Sequence, residues 1–203
     1  MKPKILGIVG SHRKNGNSYV LVKKVLESMD ANHEIVQLAD KQIQFCTLCE
    51  RCVEKDCAIE DDVNQILAKM QKADGFVFAV PKYLDAPSKF LAFLERLDTV
   101  VHMRRHAGYS GSPKNPDYAL IPGQKPFCLF ALSGLGKFNK KNLQPVVEYT
   151  ESLGLRLVKH NLPPFIAVNV RAGDEKGEVL ENKRAIDECK TLAEKVLSLA
   201  AKQ

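Results

Sequence analysis

The sequence predicts an α/β protein built on a parallel sheet with helices on both faces. Three observations carry this: five strand-length apolar runs recur along the 203 residues, amphipathic helical stripes fall between them, and turn-forming residues separate the two patterns. Alternation of this kind needs crossover connections, which bring successive strands parallel.

The elements follow in order. "KILGIVGS" (4–11) is a continuous apolar run ending in Gly10 and Ser11, the pattern of a strand buried on both faces. "NSYVLVKKVLESM" (17–29) puts Leu21, Val22, Val25, Leu26 and Met29 on one helical stripe, with Asn17 or Ser18 able to cap it. "HEIVQLA" (33–39) reads as a second strand. "DDVNQILAKMQKAD" (61–74) reads as a helix with Val63, Ile66, Leu67 and Met70 inward, behind the cap candidates Asp61 and Asp62. "GFVFAVP" (75–81) is a third buried strand, followed by a helix from about Pro87 with Phe90, Phe93, Leu94, Leu97 and Val101 on one face. "KPFCLFALS" (125–133) is a fourth strand and "LQPVVEYTESLG" (143–154) a helix stopped by Gly154. "LRLVKHNLP" (155–163) supplies a fifth strand, and residues 182–200 the closing helix. Between about 104 and 124 the pattern lapses into a Gly-, Pro- and Ser-rich stretch, long enough to suggest a lid, a binding loop or an arm to another subunit.

Length and composition suit a single domain spanning 1–203. The net charge of +6 is compatible with anionic cofactors and too modest and dispersed for nucleic acid. The densest basic run, "HMRRH" (102–106), reads as a solvated helix end at the negative pole of the dipole, with contact to a nucleotide phosphate as the alternative. The first apolar run is too short for a signal peptide and no segment reaches the ~18 apolar residues of a membrane span, so the expectation is a cytoplasmic protein with no membrane partner.

Four of the six cysteines, Cys46, Cys49, Cys52 and Cys57, fall in one segment with spacing C-x2-C-x2-C-x4-C, in a loop of about 45–60. Disulfides are uncommon in a cytoplasmic protein, whereas clustered thiols there more often bind metal. A four-cysteine zinc site usually joins two short pairs across a longer spacer, which three cysteines at x2 intervals fit poorly. An iron–sulfur cluster, zinc and plain redox thiols remain open on spacing alone. Cys128, inside a strand, and Cys189, on a stripe with Ile186, Ala193 and Val196, read as core.

In open α/β sheets ligands bind beyond the carboxyl ends of the strands. The loops to read are therefore "SHRKNGNS" (11–18), "PKYLDAPS" (81–88) and "SGLGKFN" (133–139). The first has neither G-x-G-x-x-G nor G-K-[ST], which disfavours a dinucleotide fingerprint and excludes a P-loop. Its hydroxyls, amide and backbone N–H groups ahead of a helix N-terminus suit a single terminal phosphate.

Taken together, S-x-R-x-x-G-N-S after the first strand, P-x-Y after the third and a Gly-rich turn after the fourth resemble the NAD(P)H-dependent FMN reductases of flavodoxin-like fold. The cysteine segment resembles the iron–sulfur flavoprotein branch of that family. The resemblance implies a doubly wound five-stranded sheet of order 2-1-3-4-5 and an FMN phosphate surrounded by Ser11, Arg13, Asn17 and Ser18. It further implies Pro81, Lys82, Tyr83, Leu84 and Asp85 along the isoalloxazine ring, and Ser133, Gly134 and Gly136 closing its other side. Asp85 departs from the family, which usually has Gly or Ser there. The four clustered cysteines would hold one [4Fe–4S] cluster. The implied activity is an electron-transfer oxidoreductase joining two-electron flavin chemistry to one-electron carriers. NAD(P)H would be a substrate, ferredoxin or another carrier and small-molecule acceptors the partners, and a homodimer or homotetramer the assembly. A cluster-free FMN, quinone or azo reductase and a non-enzymatic flavodoxin-like carrier or redox sensor are the rival readings. No catalytic side chain is assigned, because the reactive atoms would belong to the cofactors.

Overall fold

Apolar residues on both sides of a strand need a covering layer on each face, and the chain supplies two. A computed structural model describes residues 1–53, 55–83, 85–107, 119–134, 140–162 and 165–203. In chain order these hold β1 (Lys4–Val9), α1 (Asn17–Leu26), β2 (Asn32–Gln37), α2 (Val63–Lys72), β3 (Gly75–Pro81) and α3 (Ser88–His106). There follow β4 (Lys125–Ser133), α4 (Lys140–Ser152), β5 (Leu155–Leu157), β6 (Val168–Arg171) and α5 (Lys183–Ala200). The sheet runs β2-β1-β3-β4-β5 and every pairing is parallel, the doubly wound order the family resemblance implied.

Side-chain alternation along the strands divides the core in two. Leu6, Ile8, Phe76, Phe78, Phe127 and Leu129 pack on one face with residues of α2, α3 and α4. Ile5, Val9, Val77, Ala79, Cys128 and Phe130 pack on the other with those of α1 and α5. Cys128 and Cys189 both lie in this second cluster, fully buried.

The fifth position of the sheet differs from expectation. The sequence reads as one strand over 155–163, but only Leu155–Leu157 pairs there, against Lys125–Phe127. The chain then leaves the sheet and returns as β6, whose Val168–Arg171 pairs with Phe130–Ser133 further along the same edge of β4. The polar run Lys159, His160, Asn161 has no apolar face to bury, and Pro163 and Pro164 can donate no ladder hydrogen bond. "FIAVNV" restores the strand pattern, so the carboxyl end of the fifth position lies at Arg171, several residues beyond where the sequence places it.

Helix α3 runs to His106, so the basic run 102–106 is its last turns and the long loop starts later than predicted; residues 108–118 of that loop lie outside the described residues. No helix among the described residues is long and apolar enough to cross a membrane.

Candidate functional site

At the carboxyl edge, β1 is followed by Gly10, whose N–H donates to Ala79 O at 2.9 Å, and the chain turns into α1. Ser11 Oγ accepts from Arg13 N at 3.0 Å, fixing the turn, and no side chain caps α1, whose first N–H groups are left for a ligand. A cavity of about 80 Å³ opens there. It is lined by Ser11, Arg13, Asn17 and Ser18 from the first loop, Pro81, Lys82 and Tyr83 from the third-strand loop, and Leu132, Ser133 and Gly134 from the fourth. Nine of the predicted cofactor residues are thus brought together. Of the remaining three, Leu84 and Gly136 lie outside the described residues, and Asp85 is not in the cavity wall. Its carboxylate instead accepts a hydrogen bond from Asn142 of α4.

The cavity has a fourth wall that sequence reading missed: Ala172, Gly173 and Asp174, directly after β6. Arg13 and Asn17, expected to face a phosphate, hold this wall. Arg13 pairs with the Asp174 carboxylate at 2.8 Å and donates to its carbonyl at 3.2 Å. Asn17 Nδ2 donates to Gly173 O at 3.1 Å and Glu175 O at 2.8 Å, while its Oδ1 accepts from Gly177 N at 2.8 Å. The signal was present in "RAGDEKG", a turn-forming stretch at a strand end. A fifth strand over 155–163 would end well before this stretch, which reaches the cavity only because the strand resumes at Val168–Arg171.

The size of the cavity sets its use. About 80 Å³ is far below the roughly 300–1,000 Å³ of cofactor pockets, so it fits a phosphate-sized group with the rest of a ligand lying outside. On that outer side Tyr83 is half exposed and stacks on His12 with ring centroids 5.3 Å apart, an aromatic surface for a flat ring system. His12 Nε2 lies 3.4 Å from Ser88 Oγ at the start of α3.

The same helix builds the second site. All four clustered cysteines line one pocket with Ile59 and with Arg96, Thr99, Val100 and Met103 of α3. The loop that carries them is pinched at its neck. Gln42 N donates to Asp62 Oδ2 at 2.8 Å, Asp62 N returns to Gln42 O at 3.1 Å, and Gln44 N donates to Asp61 Oδ2 at 2.9 Å. Asp62, expected to cap α2, stands at its N-cap without a side-chain cap hydrogen bond and closes the loop instead, while Asp61 both closes the loop and accepts from Val63 N. Leu48 and Glu50, either side of Cys49, adopt left-handed φ of 50° and 59°. A left-handed non-glycine residue costs on the order of 1–2 kcal/mol, so the tight curl around Cys49 is held by its surroundings. From α3, Arg104 Nε donates to Cys52 O at 3.2 Å and Arg104 Nη2 to Lys55 O at 3.3 Å; this part of the basic run anchors the cysteine loop. Asn64 of α2 holds Cys57 O at 2.8 Å.

The thiols differ in environment. The backbone N–H of Arg51 pulls the exposed Cys49 below the ordinary thiol value, while burial and then the neighbouring Cys57 push Cys52 above it. Leu48 N–H points at Cys46 Sγ at 3.4 Å. None of the four is in a disulfide. Among the described residues, no three His, Cys, Asp or Glu side chains are drawn to metal-binding distance. The donor chemistry fits a thiolate-bound cluster: all four cysteines line one apolar pocket, with N–H groups directed at the sulfurs of Cys46, Cys49 and Cys57.

A doubly wound sheet with a phosphate-sized cavity and an aromatic surface at its carboxyl edge defines the flavodoxin-like class of protein. Consistent with that, a WrbA-like flavodoxin from Agrobacterium tumefaciens superposes with a TM-score of 0.58 at 16% identity, over 98% of each chain, a likeness of fold. The model of the NADPH-dependent FMN reductase family matches residues 3–113, more than half of the chain, and the chain belongs to that family. It is 39% identical over 95 residues to an iron–sulfur flavoprotein of Methanocaldococcus jannaschii, covering 45% of this chain and 49% of that one. It is 33% identical over 98 residues to an iron–sulfur flavoprotein of Methanosarcina thermophila, covering 46% and 51%. The chain spans about half the length of the curated relatives it matches.

Proposed function

We propose that the chain is a flavin oxidoreductase that binds FMN at the carboxyl edge of the sheet and a [4Fe–4S] cluster in the cysteine pocket, and passes electrons between two-electron and one-electron partners. The observation that carries it is the convergence of all four clustered cysteines on one pocket against α3, the helix whose first residue also reaches the cavity loop. Bound together, the two groups would supply hydride chemistry and single-electron transfer.

The residues divide the work. Ser11, Ser18 and the N–H groups of the first turn of α1 receive the phosphate, with the helix dipole favouring its charge. Arg13 lends positive charge from its place beside Asp174, and Asn17 keeps the 172–177 wall in position. Tyr83 and Pro81 offer the ring surface, while Ser133 and Gly134 bound it opposite. Cys46, Cys49, Cys52 and Cys57 ligate the cluster. Arg96 lies eight residues beyond Ser88, which at 1.5 Å rise places the two ends of this arrangement ~12 Å apart along the axis of α3. NAD(P)H, ferredoxin or a similar carrier and small-molecule acceptors are the proposed partners, and a homo-oligomer the proposed assembly.

Anaerobic purification followed by iron, sulfide and FMN analysis tests the reading. About four irons and one FMN per chain support it, and replacing any one clustered cysteine by serine should then lower the iron content while FMN stays bound. The rival is a cluster-free reductase, which the lack of three thiols at ligating distance among the described residues favours. FMN bound without iron in an anaerobic preparation would establish that rival, and rapid bleaching of the flavin by NAD(P)H would separate either reductase from a passive carrier.

A further inference from the structure

Arg96 is the largest fully buried side chain of the described residues, 2% exposed on a helix whose neighbouring inward positions are Phe93, Leu97 and Val100. A buried guanidinium costs several kcal/mol unless it is paired, so its position calls for an account. Its Nη1 donates to Asp61 Oδ2 at 2.7 Å and Gln44 O at 2.9 Å, its Nη2 to Asp61 Oδ1 at 3.4 Å, and its Nε has no partner. The remaining Nη2 contact is to Cys57 Sγ at 3.2 Å. Asp61, equally buried, also accepts N–H groups from Gln44 and Val63, and Arg96 balances its charge while joining the neck through Gln44 O. Beyond that ion pair, Arg96 places a cationic N–H on the Cys57 sulfur from the buried side of the pocket.

We propose that Arg96 is a positioning residue for the cysteine pocket that, through its bond to Cys57 Sγ, raises the reduction potential of the group held there, with Asp61 moderating its charge. This rests on the cluster reading above. An N–H bond to a ligand sulfur stabilises the more electron-rich state, and a nearby positive charge does the same. Both effects grow where water is excluded. A residue that merely ordered the loop would change how much iron is retained, whereas an electronic role moves the potential, and in opposite directions for the two members of the pair.

The test uses the full chain, purified and reconstituted anaerobically with iron and sulfide, with iron content, FMN content and an EPR-monitored redox titration read together. Arg96→Gln should lower the potential enough to change the reduced-to-oxidised ratio about tenfold at fixed potential, ~59 mV for one electron. Asp61→Asn should raise it. Arg96→Lys keeps the charge but not the fork that reaches Asp61 and Cys57 together, so it should fall between wild type and Arg96→Gln. Potentials unchanged in Arg96→Gln and Asp61→Asn while wild type holds its cluster would overturn the proposal and leave the cluster reading intact. Both Arg96 variants losing iron while keeping FMN, with Asp61→Asn at the wild-type potential, would reduce Arg96 to loop closure and also overturn it. Wild type that takes up no iron defeats the cluster reading itself, and this inference with it.

Discussion

Asn17 separates two accounts of the first loop. A direct phosphate ligand would have its amide free, but here both of its polar atoms are engaged, making three hydrogen bonds that fix the 172–177 segment to the start of α1. Asn17→Ala removes all three and strands the N–H of Gly177, which sits at a left-handed φ of 93°. A protein hydrogen bond contributes about 0.5–1.5 kcal/mol net, and the lower half of that range suits contacts at the surface, so the loss is near ~2 kcal/mol. For a chain of this size ~1 kcal/mol moves the melting temperature by about 2–4 °C, so differential scanning calorimetry of the ligand-free protein should show a fall of roughly 4–8 °C. Asn17→Asp sharpens the test. An acidic residue in the first turn of a helix is ordinarily stabilising, yet here it would turn a carboxylate oxygen toward the carbonyls of Gly173 and Glu175. The staple account therefore requires Asn17→Asp to melt below wild type. A variant with alanine that melts with wild type, or an aspartate variant that melts above it, refutes the reasoning.

Other consequences can be checked on the same protein. Gly10→Ala would place a Cβ 2.9 Å from Phe90 Cγ, in a ring that is fully buried and packed edge-on against Phe78; overpacking of this kind costs about 1–3 kcal/mol, and thermal melts should show it, with partial relief in a Gly10→Ala, Phe90→Leu double variant. Alkylation of the iron-free protein followed by peptide mass mapping should label Cys49 first and leave Cys128 and Cys189 untouched until unfolding, because burial pushes both of the latter thiols up and hides them; native labelling of Cys128 as fast as Cys49 would contradict this. Glu34 is held below the ordinary glutamate value by its hydrogen bond to Lys69, at 2.6 Å, and then by Lys4, at 3.2 Å. Its stabilisation is therefore present above the unfolded value of ~4.3 and lost as pH falls through the lower folded one. Urea unfolding should show Glu34→Gln less stable than wild type by up to about 1 kcal/mol at pH 7 in low salt, a gap that closes as the solution is acidified below ~4 or the salt is raised.

Much of this protein is determined locally, and that part is legible in the sequence. Buried strands such as "GFVFAVP" admit only apolar residues, and helices such as residues 183–200 keep one stripe inward, so periodicity places the elements to within a few residues. Parallel crossovers then force the loops after β1, β3 and β4 to one edge, which is why Ser11, Pro81 and Ser133, far apart in sequence, share a cavity wall. The spacing of the four cysteines likewise makes their convergence cheap, since short loops close at little entropic cost. What the sequence could not decide depends on contacts between distant segments. The break in the fifth strand turns on whether Lys159–Asn161 finds a face to bury, and that shift hides the Asp174 wall from any local reading. The occupation of Arg13 and Asn17 by that wall follows from it. Arg96 lies outside the apolar stripe of Phe90, Phe93, Leu94, Leu97 and Val101; only the folding of the cysteine loop over α3 buries it against Asp61 and Cys57, because burial and pairing of a charge belong to the tertiary structure and leave no mark on periodicity.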